Sequence, residues 1–342
     1  MYYAAIDVAS KGSFVYVRDR KGRKVASSKV ITDKEGIGNF FKKQCVDQKI
    51  QIAIEAGGST RWIHDYLREM GMDVYVVNPN KVKAIADSKR KTDKIDAGIL
   101  SELLRIDALP ERVHMSEGTD RELRDLIQAR YQIIKGYTNL MNYLRGLLRQ
   151  EGVHVKTREF KTADYEKRLK EEALPQHVRK IVSRYAATIR QMMEEKEKLE
   201  ETIKKYRTRD IELIKTIPGM GDISSRTIQA AIGDIKRFKR AKQLTSYCGL
   251  VPTVRSSGER TEYGHITREG RSEVRRVGVQ CAHALLRSKS KESQPLQQFW
   301  RQIASRRGPK TALVALARKL VTITFYVLRD QKAYDHTLLR VA

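Results

Sequence analysis

Apolar residues follow two different periods along the chain. Through the first hundred positions they alternate or run in short blocks, and from about position 117 they recur every three or four residues. Tyr3–Val8 is a short apolar strand, Ser13–Arg18 alternates around Phe14 and Tyr16, and Lys24–Ile31 is a third β-rich run. Lys21-Gly22 marks a hairpin turn between the last two. Thr32-Asp33 then caps a helix predicted to run to about Cys45. A fourth strand, Gln51–Glu55, passes through Ala56-Gly57-Gly58 into a helix over Ser59–Met70. Asp73–Val77 is a fifth strand, ended by Asn78-Pro79, with helix beyond it. Three strands in hairpin order followed by helix–strand alternation predict an α/β unit, a mixed sheet with helices on both faces.

Between Glu117 and Arg209 no convincing strand is seen. Leu123, Leu126, Ile127, Tyr131 and Ile134 keep helical spacing, and Leu140, Leu144 and Leu147 resume it. A charged stretch from Lys156 to Glu172 precedes a further helix over His177–Lys205. Long helices with few Gly or Pro predict antiparallel hairpins or a coiled coil, serving as a spacer, a dimer contact or a basic nucleic-acid surface. The third region starts near Asp210. It holds the segment Ile217-Pro218-Gly219-Met220-Gly221, a helical run to Ile232, and Gly-rich stretches around Cys248–Gly258 and Gly264–Arg271, with helix from Glu273 onward. The predicted division is 1–112, an α/β domain; 113–209, a helical connector; and 210–342, a mostly helical C-terminal domain.

Charge narrows the partner. The 342 residues carry 68 Lys+Arg against 41 Asp+Glu, a formal +27. Such an excess repels itself unless a polyanion shares the surface, so nucleic acid is the first partner to consider. Cys45, Cys248 and Cys281 are scattered with no CxxC pair, so neither a disulfide framework nor a zinc ribbon is indicated. The opening MYYAAIDVAS lacks a signal-peptide pattern, and no stretch approaches the ~20 uncharged apolar residues of a membrane span. A cytoplasmic, nucleoid-associated location and no membrane partner are expected.

Four carboxylates stand out by position. Asp7 ends the first apolar strand and Glu55 the fourth, while Asp93 and Asp96, in KTDKIDA, are three apart and share a helix face. Acidic groups at the tips of adjacent strands repel unless a cation lies between them. Hard oxygen ligands of this kind suit Mg²⁺ or Mn²⁺, and a pair of such ions clamps the attacking and leaving oxygens of a phosphoryl displacement. Taken singly, each is explained as well by a turn residue, a strand-end charge or a helix cap. Their combination with hairpin-first strand order and a basic chain favours the catalytic reading.

That strand order and carboxylate placement resemble an RNase H-like (RuvC-like) nuclease domain with an Asp-Glu-Asp-Asp set. More specifically, AAIDVAS, IAIEAGG and KTDKIDA resemble the DEDD transposases of bacterial insertion sequences, the insertion-sequence one-ten family, whose relatives include pilin-gene invertases. IPGMG, SYCGLVP, SSG and GHITREG match that family's second domain in the right order, so the resemblance covers nearly the whole chain. It implies a DNA recombinase with Asp7, Glu55, Asp93 and Asp96 as ligands for two Mg²⁺ or Mn²⁺ ions. A serine nucleophile that becomes covalently joined to DNA is implied too, Ser257 or its neighbour Ser256, with Ser257 preferred because it precedes Gly258. The family also implies a homo-oligomer (dimer or tetramer) acting on donor and target DNA, guided by a structured noncoding bridge RNA. Relatives often carry asparagine after the glycine of GHITREG, where this chain has Arg271-Ser272.

The residues themselves support the serine modestly. A hydroxyl needs a base or a metal to become nucleophilic; Gly258 allows close approach to phosphate, and Arg255, Arg260 and Arg268 can neutralise it. No histidine close in sequence is an obvious general base, His265 having no support beyond its position, and activation by metal in the other domain would require the two to meet. Ile217–Gly221 also resembles the hairpin of a helix-hairpin-helix module, with Arg226, Arg237, Lys239 and Arg240, and further on Arg275-Arg276, Arg306-Arg307 and Lys310, as a phosphate track. Aromatic content of 7% argues against extensive base stacking. The competing readings are a structure-selective endonuclease of the Holliday-junction resolvase type, a non-catalytic nucleic-acid binder, and an actin-like or sugar-kinase ATPase. The last lacks a downstream phosphate loop.

Overall fold

The computed structural model describes residues 1–44, 48–83, 85, 92–156, 159–161, 172–257 and 260–338. Contacts divide the chain into two units, Met1–Met115 and Ser116–Ala342, where the sequence reading drew three segments.

The first unit is built on a five-stranded mixed sheet. β1 (Tyr2–Asp7), β2 (Gly12–Arg18), β3 (Lys24–Ile31), β4 (Ile50–Glu55) and β5 (Asp73–Val77) lie in the order β3-β2-β1-β4-β5. β1 is antiparallel to β2 and parallel to β4, and β4 is parallel to β5. The period of two sorts each strand. Ala4 and Ile6, Val15 and Val17, Ile52 and Ile54, and Val74 and Val76 join one core with Ile37, Phe40 and Phe41 of α1 (Lys34–Gln44) and Ile63 and Leu67 of α2 (Thr60–Glu69). The expected cap of α1 is present: Asp33 Oδ1 accepts the Gly36 N–H at 2.6 Å. In β2 it is Val15 and Val17 that are fully buried, with Phe14 and Tyr16 on the other face. The alternation was legible, but the aromatic residues do not mark the deeper side. Exposed Lys24 and Lys29 sit on the edge strand β3 and discourage pairing with another sheet.

The opposite face is thinner. Ala5 and Ala53, with Val77, pack against Val82 of α3 (Pro79–Lys83) and Leu100 and Leu104 of α4 (Asp93–Arg105). Alanines at the centre of this face let α4 lie close to β1 and β4.

In the second unit, α5 (Gly118–Gln150) and α6 (Gln176–Lys205) form the expected antiparallel hairpin. Tyr137, Met141, Leu144 and Leu148 step by four and three residues and meet Val178, Val182, Ala186 and Ile189, a coiled-coil seam. The direction follows from the pairings. Leu123 and Ile127, near the start of α5, cluster with Ile203, near the end of α6, and Arg130 pairs with Glu200 at 2.6 Å.

Beyond lie α7 (Arg209–Lys215), α8 (Asp222–Ile232), α9 (Ala241–Tyr247), the hairpin strands β6 (Pro252–Ser257) and β7 (Arg260–Ile266), then α10 (Ser272–Arg287), α11 (Gln294–Arg307) and α12 (Pro309–Asp330). The hairpin corrects the sequence reading, which saw only a Gly-rich stretch there. By length and composition alone α12 could also cross a membrane. Its apolar side, including Leu316, Leu320, Val321 and Phe325, is instead buried in the largest core cluster, and Arg318 and Lys319 interrupt it. It is the core helix of this unit.

Candidate active site

The register of the sheet brings the first two predicted carboxylates together. Ile6 pairs with Ile54 across the parallel β1–β4 ladder, so Asp7 and Glu55 are the next residues on each strand. Both belong to the odd-numbered set with Ala5 and Ala53, on the face that α4 covers. They therefore stand side by side at the carboxyl ends of central parallel strands, the end at which open α/β sheets bind ligands.

The second pair is carried by α4. Thr92 caps this helix, its Oγ1 accepting the Ile95 N–H at 3.3 Å, and Asp93 and Asp96 occupy the first turn, where the helix dipole favours negative charge. Sequence reasoning missed what fixes the helix. Arg18 of β2 donates from Nε to Ser101 Oγ at 3.1 Å, from Nη2 to the Gly98 carbonyl at 3.3 Å and from Nη1 to the Gly22 carbonyl at 2.8 Å. One guanidinium thus ties the hairpin to α4. No signal in the sequence separates it from the other arginines.

The charges of the other three carboxylates reach Asp7. The half-buried Asp7 carboxyl is pushed up from 3.8 to about 6, first by its burial and then by the charges of Asp93, Asp96 and Glu55. Glu55 is partly buried, and Asp93 and Asp96 are exposed. Yet among the described residues no three Asp, Glu, His or Cys groups converge closely enough to form a ready ligand cage. The two observations measure different things, since charge acts over longer distances than coordination. The arrangement is an open set of two carboxylate pairs. Its donors are all carboxylate oxygens, which suits Mg²⁺ or Mn²⁺ rather than the thiol and imidazole sets of zinc.

Both candidate serines lie on the β6–β7 hairpin. Ser256 pairs with Thr261 and Ser257 with Arg260. Ser256 is exposed, while the side chains of Ser257, Arg255 and Arg260, and the whole of Gly258, fall outside the described residues. His265 and Arg268 are exposed. A signal for the hairpin was present in the sequence: Thr253-Val254 and Thr261-Glu262-Tyr263 flank a Gly-containing break, a strand–turn–strand pattern.

Several residues assigned to a phosphate track have other work. The Arg226 side chain is 3% exposed. It donates to the carbonyls of Tyr206, Lys204 and Asp222, capping the end of α6. Arg237 donates to the Ile232 carbonyl at 2.7 Å and stacks over Phe238 and Tyr247. Arg275 donates to the Cys248 carbonyl at 2.9 Å, and Arg276 lies 3.4 Å from the centre of the Tyr131 ring. These guanidiniums are engaged within the fold. Lys239 and Arg240 remain exposed and, with Lys242, line a surface hollow; Arg306, Arg307 and Lys310 are exposed as well. Ile217–Gly221 does join two short helices, α7 and α8. Gly219, at φ +84°, faces the Cys281 carbonyl and Leu285, so its lack of a side chain serves packing against α10.

A strongly basic chain that gathers carboxylates at the ends of central strands has the layout of an enzyme acting on nucleic acid. Comparison with known proteins places it further. A transposase model of the IS110 DEDD type matches residues 4–152, and a model described as the transposase IS116/IS110/IS902 family matches residues 211–298. The chain belongs to this family of transposases, and such enzymes cleave DNA. It is 28% identical to the transposase for insertion sequence element IS1111A of Coxiella burnetii, over 83% of this chain and 79% of that one. It is 23% identical to the transposase for insertion sequence element IS1328 of Yersinia enterocolitica, over 81% and 83% of the two chains. The pilin gene-inverting protein of Moraxella bovis is 30% identical over a shorter stretch, 36% of this chain and 38% of its own.

Proposed function

We propose that this transposase cleaves and rejoins DNA through a divalent-metal site formed by Asp7, Glu55, Asp93 and Asp96, together with a serine nucleophile from the hairpin. The observation that carries the metal site is the placement of Asp7 and Glu55 side by side on the sheet face whose covering helix begins with Asp93 and Asp96. Bound Mg²⁺ or Mn²⁺ would polarise the oxygens of the phosphodiester displacement. The unit that holds these carboxylates is read as RNase H-like.

The serine hydroxyl gives up its proton and its oxygen bonds to phosphorus. The phosphodiester bond to one deoxyribose oxygen breaks, and that oxygen takes up a proton. Attack by a hydroxyl of another strand reverses the sequence and frees the serine, so the bond energy of the phosphodiester is conserved through the exchange. Ser257 and Ser256 are the candidates, and neighbouring arginines offset the phosphate charge. Family resemblance further supports a homo-oligomer guided by a bridge RNA to its donor and target DNA.

The test is a trapped covalent protein–DNA adduct. It is expected with Mg²⁺ or Mn²⁺, to be lost with chelator, and to be lost in Ser257→Ala or Ser256→Ala. Metal-dependent cleavage with no adduct would replace this reading by a resolvase-type endonuclease. Full activity in Asp7→Ala and Glu55→Ala would remove the metal site. RNA guidance is tested by sequencing RNA that copurifies with the full chain; absence of a structured RNA encoded beside the gene would leave recombination standing without a guide.

A further inference from the structure

The β6–β7 hairpin carries side chains that folding does not explain. Its two strands pair with each other alone among the described residues, and an isolated ribbon is marginal in water. Only Ile266, at its foot, packs against a core cluster among those residues. The foot is nevertheless firmly held. Thr267 N–H donates to the Val251 carbonyl at 2.9 Å, Arg271 N–H to the Tyr247 carbonyl at 2.9 Å, and Arg268 N–H to the Gly249 carbonyl at 3.3 Å. Gly249 and Gly270 both adopt positive φ, and a side chain on either would strike backbone, Glu269 in one case and Tyr247 in the other. A fixed base thus projects a ribbon whose described side chains, Ile266 apart, join no core cluster.

On that ribbon Val254 and Tyr263 are register partners, 55% and 72% exposed. Side chains two residues apart on a strand share a face, so Ser256 lies on the same face as this pair, about 7 Å along the strand. An exposed valine–tyrosine pair costs hydration and brings no packing within the chain. A protein partner is a poor fit, because two side chains supply far less than the roughly 800 Å² per partner of a stable interface. A nucleobase fits, because a single aromatic ring is enough to stack it. The formal charge of +27 and exposed Arg268 at the foot favour the polyanion to which that base belongs.

We propose that Val254 and Tyr263 form a platform on which a base of an unpaired DNA strand stacks, bringing the adjoining phosphodiester to Ser256. The second half of this statement rests on the serine reading above; the stacking does not. One ring is consistent with the low aromatic content, which argued against an extended stack and not against a single contact.

The experiment uses the full chain and single-stranded DNA oligonucleotides with 2-aminopurine at one internal position, scanned along the strand. Wild type and Tyr263→Phe are expected to quench the fluorescence and bind alike, while Tyr263→Ala loses the quenching and binds about 5- to 100-fold more weakly. The slope of affinity against salt should not change, since no cation is removed. The ring belongs to no core cluster, so circular dichroism should show Tyr263→Ala folded. Equal binding and quenching by Tyr263→Ala would overturn the platform, as would an equal loss on duplex DNA. A loss confined to single-stranded RNA of the same sequence would overturn the assignment to DNA. Weakened self-association with unchanged DNA binding would assign the face to a second copy instead. Adduct formation by wild type and its loss in the serine variants are read separately, so failure of the nucleophile and failure of the platform remain distinct results.

Discussion

Replacing Asp7 by asparagine should stabilise the protein in the absence of divalent metal. The native carboxyl titrates at about 6 against 3.8 for an ordinary aspartate, because burial and then Asp93, Asp96 and Glu55 disfavour its charge. Between those two values the folded chain keeps a proton that the unfolded chain has released. Stability therefore falls as pH rises through this window, and the full cost is present above it. At about 1.4 kcal/mol per pH unit the interval is worth ~3 kcal/mol, and solvent screening of a half-exposed group reduces this to ~1–2 kcal/mol. Asparagine keeps the shape and removes the charge. Urea unfolding in chelator at pH 7.5 should show Asp7→Asn the more stable by ~1–2 kcal/mol with an unchanged m-value, and the two proteins should converge near pH 4. Saturating Mg²⁺ should favour the wild type, whose native state alone keeps the complete ligand set. Equal stability at both pH values, or a less stable variant at pH 7.5, would show that the four carboxylates do not oppose one another and would refute the reasoning.

Asp93→Asn and Asp96→Asn should each abolish strand cleavage while retaining DNA affinity within a few-fold, as read by gel shift and nicking assays on the same samples; uncut DNA binding lost in parallel would indicate misfolding. DNA affinity should fall by about 10³–10⁵ between 50 and 200 mM salt if six to ten phosphates are contacted, measurable by fluorescence anisotropy, and a flat profile would contradict the electrostatic account. Gly219→Ala adds a side chain at φ +84° against the Cys281 carbonyl and Leu285, so unfolding should show a loss of ~2–4 kcal/mol. Arg226→Ala uncovers carbonyls at the end of α6; it should destabilise by ~2–4 kcal/mol and leave the salt slope of DNA binding unaltered.

What could be read from the sequence was whatever periodicity and punctuation encode. The five strands were visible because apolar residues alternate or run together between turn residues, and Asp7 and Glu55 stood out because each closes such a run. The helices α5 and α6 were visible for the same reason at the longer period, although of their seam only Leu144 was among the positions picked out. The hairpin was obscured because its Gly and Pro residues read as irregular chain, although its flanking Thr and Val residues carried the opposite signal. Arg226 and Arg237 were misjudged because net charge does not reveal where a guanidinium points. A buried arginine satisfying three carbonyls and an exposed one awaiting phosphate are the same letter. The helical pattern of α12 was legible, but Arg318 and Lys319 break its apolar run, and burial of its other side is a tertiary fact.

The carboxylate site shows why a fold can sustain a costly arrangement. Burying one Ile contributes about 1.5–3 kcal/mol, so the ~1–2 kcal/mol cost at Asp7 is offset by roughly one residue of the core on the opposite face, where Ile6, Ile52 and Ile54 are each fully buried. The two faces divide the labour by the same alternation: even-numbered positions of β1 and β4 supply stability, and odd-numbered ones carry Ala5, Ala53 and the acidic ends. Enlarging either alanine would add apolar area yet push α4 outward, carrying Asp93 and Asp96 away from Asp7. A substitution such as Ala53→Val should therefore relieve the repulsion on Asp7, lowering its titration toward the ordinary value, and reduce cleavage at the same time. Nuclear magnetic resonance of the Asp7 carboxyl beside a cleavage assay would read both, and an unchanged titration would mean that α4 is not held by the close approach of that face.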